Sequence, residues 1–256
     1  MTHYAIVGGG RLARHFSEYF RLLEIPHTRW TRDHRSAFNS FATADAKQRL
    51  QATVRDADRV LLLVSDNSIV AVLRQYPFLH EKQLIHCSGS LSIPGVAGAH
   101  PLMTFADQLY PLETYRSVPF ILETGASFEH LFPDLPNAHF VVSARDKSRY
   151  HAMCVMAGNF CQVLWKGIAD RFEQELELPA TALHPYLARV AENFIASPHS
   201  ALTGPLARGD VKTIERNLES LAGDPLQDLY AAFIRFHERD REPALHAERI
   251  QQELAL

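Results

Sequence analysis

The stretch HYAIVGGGRLARHF, residues 3–16, decides how the chain is read. Gly8, Gly9 and Gly10 separate a short apolar run, Tyr4 to Val7, from residues with helical periodicity. Leu12, Phe16, Tyr19, Phe20 and Leu23 fall at i, i+4, i+7, i+8 and i+11, which is one apolar helix face, and Pro26 ends it. Gly8, Gly10 and Ala13 therefore spell G-x-G-x-x-A between a strand and a helix, the setting a dinucleotide fingerprint requires. Gly8 permits the tight turn, Gly10 lets backbone approach a pyrophosphate, and Ala13 lets the helix pack close to the strand. The helix start, Arg11 and Leu12 included, offers free N–H groups and a partial positive charge to phosphates. The same glycines in isolation would be a plain turn; the strand–helix–strand setting favours the phosphate loop.

Working outward, HTRWTR reads as a second strand, ADAKQRLQATVRDA as a helix, and DRVLLLVSD as a wholly apolar strand. Asp66 or Asn67 is placed to cap the next helix, through Leu73. QLIHCSGS, GVAGAH, VPFILE and HFVVSA read as four more strands. Strands alternating with helices, and apolar along their whole length, predict a mostly parallel sheet covered on both faces. After Ala144 strand signals stop. One long helix is expected over RDKSRYHAMCVMAGNFCQVLWKGIADRF, then helices near 179–196, 211–222, 225–238 and 242–254. The expected organisation is a Rossmann-type α/β domain, residues 1–146, followed by an all-α domain, residues 147–256.

The bulk numbers exclude some classes. The 256 residues carry a formal charge of -3, with 46% apolar and 21% charged residues. That is an ordinary globular composition, without a general attraction for nucleic acid. No apolar run approaches the roughly 20 residues that span a bilayer, and no secretory signal is expected, so the expected location is the cytoplasm. Cys87, Cys154 and Cys161 make no disulfide framework. The 14 histidines are scattered without metal-ligand spacing, and no metal is expected.

The end of the second strand selects between nicotinamide cofactors. An acidic residue there would bond the ribose 2′-hydroxyl of NAD. Here Thr31 and Arg32 stand about 20 residues past the loop, and Arg32 suits a 2′-phosphate. Asp33 follows directly. The reading favours NADP, with NAD as the alternative; the alternative for Arg32 itself is a solvated loop.

The strings GGGRLA, WTR, VLLLVSDNSI, HCSGSLS, GAHPLMTF and TGPLARGDVKTI together resemble a group of bacterial proteins with a Rossmann-like N-terminal domain and a helical C-terminal domain of unassigned function. The resemblance spans almost the whole chain. More distantly the chain is similar to the 6-phosphogluconate dehydrogenase-like superfamily, with its β-hydroxyacid dehydrogenases, pyrroline-5-carboxylate reductases and deazaflavin-dependent NADP oxidoreductases. The resemblance implies NADP binding between the domains and a homodimer built through the helical domain. It implies that Gly8, Gly10 and Arg11 contact the pyrophosphate, and Thr31 and Arg32 the adenosine end. Val64, Ser65 and Asp66 would line the ribose and nicotinamide, with Ser88 and Gly89 beside the nicotinamide ring. One departure stands out. β-Hydroxyacid dehydrogenases carry a lysine, with an asparagine four residues later, on the first helix of the second domain. Here that helix has Tyr150, His151 and Asn159, with Lys147 at its start and Lys166 beyond. His151 and Asn159 are about 80° apart around an α-helix and could share a broad face; the alternative is an exposed histidine and an asparagine bonded between helices.

GAHPLMTF puts His100 at a strand end, where ligands of open α/β sheets bind. Ser88 followed by His100-Pro101 resembles prephenate dehydrogenases, in which the histidine assists removal of a hydroxyl proton. Histidine suits that work because its pKa lies near neutrality; a structural strand-end histidine is the alternative. In TGPLARGD, Asp210 caps a helix and Gly209 makes a turn, or Thr203 and Arg208 hold an anionic substrate; the two readings stand equally. The expected function is an NADP-dependent oxidoreductase acting on a small anionic hydroxy- or imino-acid-like substrate in the interdomain cleft. His100 would be the general acid/base, with Ser88 and Asn159 orienting it and His151 beside them. The alternative is a non-catalytic NAD(P)-binding sensor or scaffold.

Overall fold

Tyr4–Val7 (β1) is buried along its whole length and has neighbours on both sides, so both its faces need cover. The computed structural model describes residues 1–31 and 44–254, with side chains through Arg239. β1 lies between His27–Trp30 (β2) and Arg59–Leu62 (β3). Gln83–His86 (β4), Ala97–Pro101 (β5), Phe120–Glu123 (β6) and His139–Val142 (β7) follow in sequence order, giving a seven-stranded sheet ordered β2-β1-β3-β4-β5-β6-β7. β1 to β5 are parallel. β6 is antiparallel to β5, and β7 is parallel to β6. All seven expected strands form. The strand order reverses at β1, so a crevice opens beyond the carboxyl ends of β1 and β3.

Alternation along β1 builds the two cores. Tyr4 and Ile6 point to the core under Arg11–Leu22 (α1), Leu112–Ser117 (α4) and Phe128–Leu131 (α5). Ala5 and Val7 point to the core under Ala44–Val54 (α2) and Asp66–Gln75 (α3). The first core is rich in aromatic rings, with Tyr4 and Phe20 centroids 4.7 Å apart and Phe120 and Phe132 5.3 Å apart. β7 departs from the expectation of cover on both faces: as the edge strand it leaves Phe140 and Val141 exposed. The helix after β3 also starts differently. Ser65 holds the N-cap position rather than Asp66 or Asn67, and the Asp66 carboxylate is turned to Ser88.

The long helix expected after β7 is interrupted. It consists of Lys147–Val155 (α6), a π-helical turn at Met156–Phe160, and Cys161–Gln174 (α7). His184–Ala196 (α8), a short Pro205–Arg208 helix (α9) and Val211–Ser220 (α10) follow. The two final helices expected from the sequence are one, Pro225–Leu254 (α11). Asp210 caps α10 as read, its carboxylate accepting from the Thr213 N–H at 3.2 Å, and Gly209 is left-handed.

Two compact units result, Met1–Lys166 and Gly167–Leu256. Strands give way to helices near residue 146, but the division falls later, within α7. α6 stays with the sheet because Lys147, Tyr150 and His151 pack against β5 and the loop after β4. The second unit is helical, tied by a two-pronged bond from Arg171 to Asp224 at 2.9 and 3.0 Å. Among described residues 148–239, none is buried.

Candidate active site

The glycine loop is shaped by close backbone packing. The Gly8 N–H donates to the Trp30 carbonyl at 2.9 Å, and a Cβ on Gly8 would overlap the Leu63 carbonyl. Only glycine fits between β2 and the end of β3. Gly10 is the opposite case: a Cβ there would meet nothing within 4 Å. Gly10 is also the N-cap of α1, with no side-chain cap and no acidic residue in the first turn. The α1 N-terminus therefore keeps its donors and its positive end for an incoming anion. Ala13 is fully buried where α1 crosses the sheet. Thr31 lies beside Gly9, its Cγ2 3.3 Å from a Cβ built there. Arg32 lies outside the described residues.

The loop after β4 forms the second edge. The Ser88 hydroxyl donates to the Asp66 carboxylate at 2.6 Å and accepts from the Leu91 N–H at 3.1 Å. Ser65 pairs with Ser68 at 2.8 Å, and Val64 continues from β3 into this edge. Gly89 is buried against two histidines: a Cβ on it would overlap His151 and stand 3.2 Å from His100 Cδ2 and Nε2.

His100, on β5, bonds through Nδ1 to the Tyr150 hydroxyl at 2.7 Å. The hydroxyl that orients His100 is thus that of Tyr150, not Ser88, because Ser88 is already engaged by Asp66. The His100 and His151 rings stand edge to face, 5.8 Å apart. Burial above all, aided by His151 and Lys147, lowers the His100 pKa to about 4, so the ring is neutral near pH 7. Burial, reinforced by the neighbouring Cys154 thiol, pushes the Tyr150 phenol up.

Lys147 is buried and pairs with Glu123 at 3.2 Å. Burial pushes Glu123 up, but the Ser92 hydroxyl and the Lys147 ammonium together bring it below the ordinary carboxylate value. A Cβ on Gly98 would come within 2.5 Å of Lys147 Nζ and 3.4 Å of His86. His86 is fully buried and lowered to about 4, by burial and then by Lys147.

Arg11, His100, Tyr150, His151, Cys154 and Asn159 line one cavity of about 820 Å³ in the first unit. His151 and Asn159 reach the same cavity although Asn159 sits within the π-helical turn, which alters the α-helical phase between them. Ser88 does not line it; Thr203 and Arg208 belong to the second unit. Sequence reasoning missed Tyr150 as the partner of His100 and Lys147 as the buried cation. The i, i+4 spacing of Tyr150 and Cys154 was the one available signal for a polar helix face.

The fold is a Rossmann-type, mostly parallel α/β sheet followed by a helical unit. Residues 123–235 match the family model described as Domain of unknown function (DUF2520). Among solved structures, a Bacteroides fragilis protein provisionally described as an NADP oxidoreductase aligns at 19% identity, over 93% of this chain and 98% of its own, with a TM-score of 0.70. A Thermotoga maritima protein aligns at 24% identity, over 94% and 99%, with a TM-score of 0.67. Plasmodium falciparum pyrroline carboxylate reductase with NADP bound aligns at 10% identity, over 93% and 99%, with a TM-score of 0.54. No curated protein matches the sequence. The match to the family model over residues 123–235 and the shared fold agree with the Rossmann-like and helical organisation expected from the sequence strings.

Proposed function

We propose that the chain is an NAD(P)-dependent oxidoreductase acting on a small, anionic hydroxy- or imino-acid-like substrate. One observation carries the reading: Arg11, at the uncapped start of α1, and the His100–Tyr150–His151 group line the same cavity. The site fits a dinucleotide at the open space over Gly10, beside the uncapped start of α1. Gly8, Gly10, Arg11, Leu12 and Ala13 would hold the pyrophosphate. Thr31 and Arg32 would meet the adenosine end, favouring NADP over NAD. Val64, Ser65, Asp66 and Gly89 would border the ribose and nicotinamide. The nicotinamide would exchange a hydride with the substrate carbon. His100 would handle the accompanying proton at the substrate heteroatom, with Asn159 and His151 in reach of the same space; Ser88 would act on the cofactor side through Asp66.

A binding-only sensor is the second reading, and one observation favours it: Lys147 is buried and spent on Glu123. We further propose a homodimer through the helical unit. None of described residues 148–239 is buried, Phe194, Ile195 and Phe236 are 60%, 79% and 66% exposed, and the described residues of that unit form no core of their own.

Fluorescence titration with NADPH and NADH tests cofactor binding, followed by a turnover screen of 2-hydroxy, 3-hydroxy and imino acids and their oxidised or reduced partners. No binding at millimolar nucleotide refutes both readings. His100→Ala that keeps NADPH binding and loses turnover favours the enzyme; binding without turnover of any substrate favours the sensor.

A further inference from the structure

We propose that Tyr150 is a positioning residue that locks His100 in the Nε2–H tautomer, so that the resting site presents a hydrogen-bond donor suited to a carbonyl or imine rather than a base suited to an alcohol or amine. The inference deepens the oxidoreductase reading and rests on it for the substrate class. The tautomer itself follows from geometry. A neutral imidazole carries one N–H and one bare nitrogen, and the hydrogen bond at one nitrogen decides which is which. His100 Nδ1 and the Tyr150 hydroxyl are 2.7 Å apart, so one of them donates. The phenol has two neighbours, the imidazole and the Cys154 thiol one turn along α6. A thiol is a weak acceptor and a weak donor, whereas a bare imidazole nitrogen is a good acceptor. The better pairing sends the phenol proton to His100 Nδ1, because the weakly accepting Cys154 sulfur competes poorly for it. The proton of His100 then sits on Nε2.

Nε2 is the atom that faces the loop after β4: a Cβ on Gly89 would stand 3.2 Å from it. Among the described contacts none satisfies Nε2, and His100 borders the cavity of about 820 Å³. The free donor therefore belongs to a side chain that borders the cavity from which a substrate acceptor would approach. A carbonyl oxygen or imine nitrogen gains charge as hydride arrives at its carbon, and a donor already in place stabilises that charge without reorganisation. An alcohol would instead need a bare Nε2, which requires breaking the bond to Tyr150 or moving the proton through it.

Nitrogen-15 NMR of the protein, with histidine labelled and the His100 resonances identified by their absence in His100→Gln, reads the tautomer directly. The wild type is expected to show His100 protonated at Nε2 and bare at Nδ1 from about pH 8 to about pH 5, below the ordinary histidine pKa of about 6.5. Tyr150→Phe is expected to give a mixture of the two tautomers. A wild-type His100 protonated at Nδ1 would overturn the proposal, as would an unchanged tautomer in folded Tyr150→Phe. If that variant does not fold, the wild-type spectrum alone decides. An NADPH titration on the same sample separates the two ideas: absent binding removes the oxidoreductase reading and leaves the tautomer assignment standing.

Discussion

Replacing His86 by glutamine removes a buried base from the floor of the sheet beside Lys147, and its consequence is a change in how stability depends on pH. His86 is fully buried, its Nδ1 accepts from the Ser88 N–H at 3.2 Å, and its Nε2 is buried without a hydrogen-bond partner. Burial, then the Lys147 ammonium, lowers its pKa to about 4. In the unfolded chain the value is about 6.5. Between those two values the unfolded chain binds a proton that the folded chain refuses. The contribution of His86 is therefore intact above about pH 6.5 and is lost as pH falls toward about 4. At about pH 5 the loss from this one group is on the order of 2 kcal/mol, from the full 1.36 kcal/mol per pK unit over most of the interval. Carboxylates held low, Glu123 among them, lose their contribution only as pH falls through their own lowered values, so they barely enter this window. Urea unfolding at about pH 7.5 and about pH 5 measures the effect as a difference, which cancels the constant cost of the substitution. The wild type should lose about 2 kcal/mol more than His86→Gln across that interval. Glutamine keeps an acceptor for the Ser88 N–H and does not titrate. Equal pH losses in the two proteins would refute the assignment of His86 as a buried neutral base.

Other perturbations follow from the same geometry. Gly8→Ala drives a Cβ into the Leu63 carbonyl, and should cost about 2 kcal/mol as overpacking against backbone, read as a lowered midpoint in urea. Lys147→Met leaves Glu123 without its cation and should destabilise by about 3 kcal/mol, with much of that restored in Lys147→Met/Glu123→Gln; no recovery in the double variant would refute the pairing argument. Gly89→Ala drives a Cβ into His151 and close to His100; it should displace those rings, weakening NADPH binding about tenfold and lowering the urea midpoint about as much as Gly8→Ala does. Light scattering should show a dimer, and Phe194→Asp/Ile195→Asp, which charges two exposed apolar positions, should shift it to monomer; a wild-type monomer would refute the homodimer.

The periodicities in the opening residues were sufficient for the fold. The unbroken apolar run Tyr4–Val7 and the i, i+4 pattern of α1 are local signals, and the cores on either face of β1 are built from them. The glycine spacing was equally legible, since Gly8 and Gly10 act through the backbone of their own loop and its immediate neighbours. The breaks that were missed have local causes that carry no clear sequence mark. The π-helical turn at Met156–Phe160 and the continuous α11 leave the same apolar periodicity as the helices read from the sequence, so neither was marked there.

The candidate site divides along the same line. His100 could be singled out from its strand end and Pro101, because position at the carboxyl end of a parallel strand follows from chain order. Its partner could not be. Tyr150 is 50 residues away in sequence yet 2.7 Å from Nδ1, and Ser88, the expected partner, is drawn off by Asp66 at 2.6 Å. The amino-acid sequence by itself determined a Rossmann-type sheet, a phosphate-loop candidate and a helical second half, because each depends on periodicity and spacing along one segment. Tertiary structure alone decided which hydroxyl holds His100 and that Lys147 is buried against Glu123. Hydrogen bonds and ion pairs are satisfied by whichever group the packing of α6 on β5 brings within about 3 Å, and no short-range pattern encodes that choice.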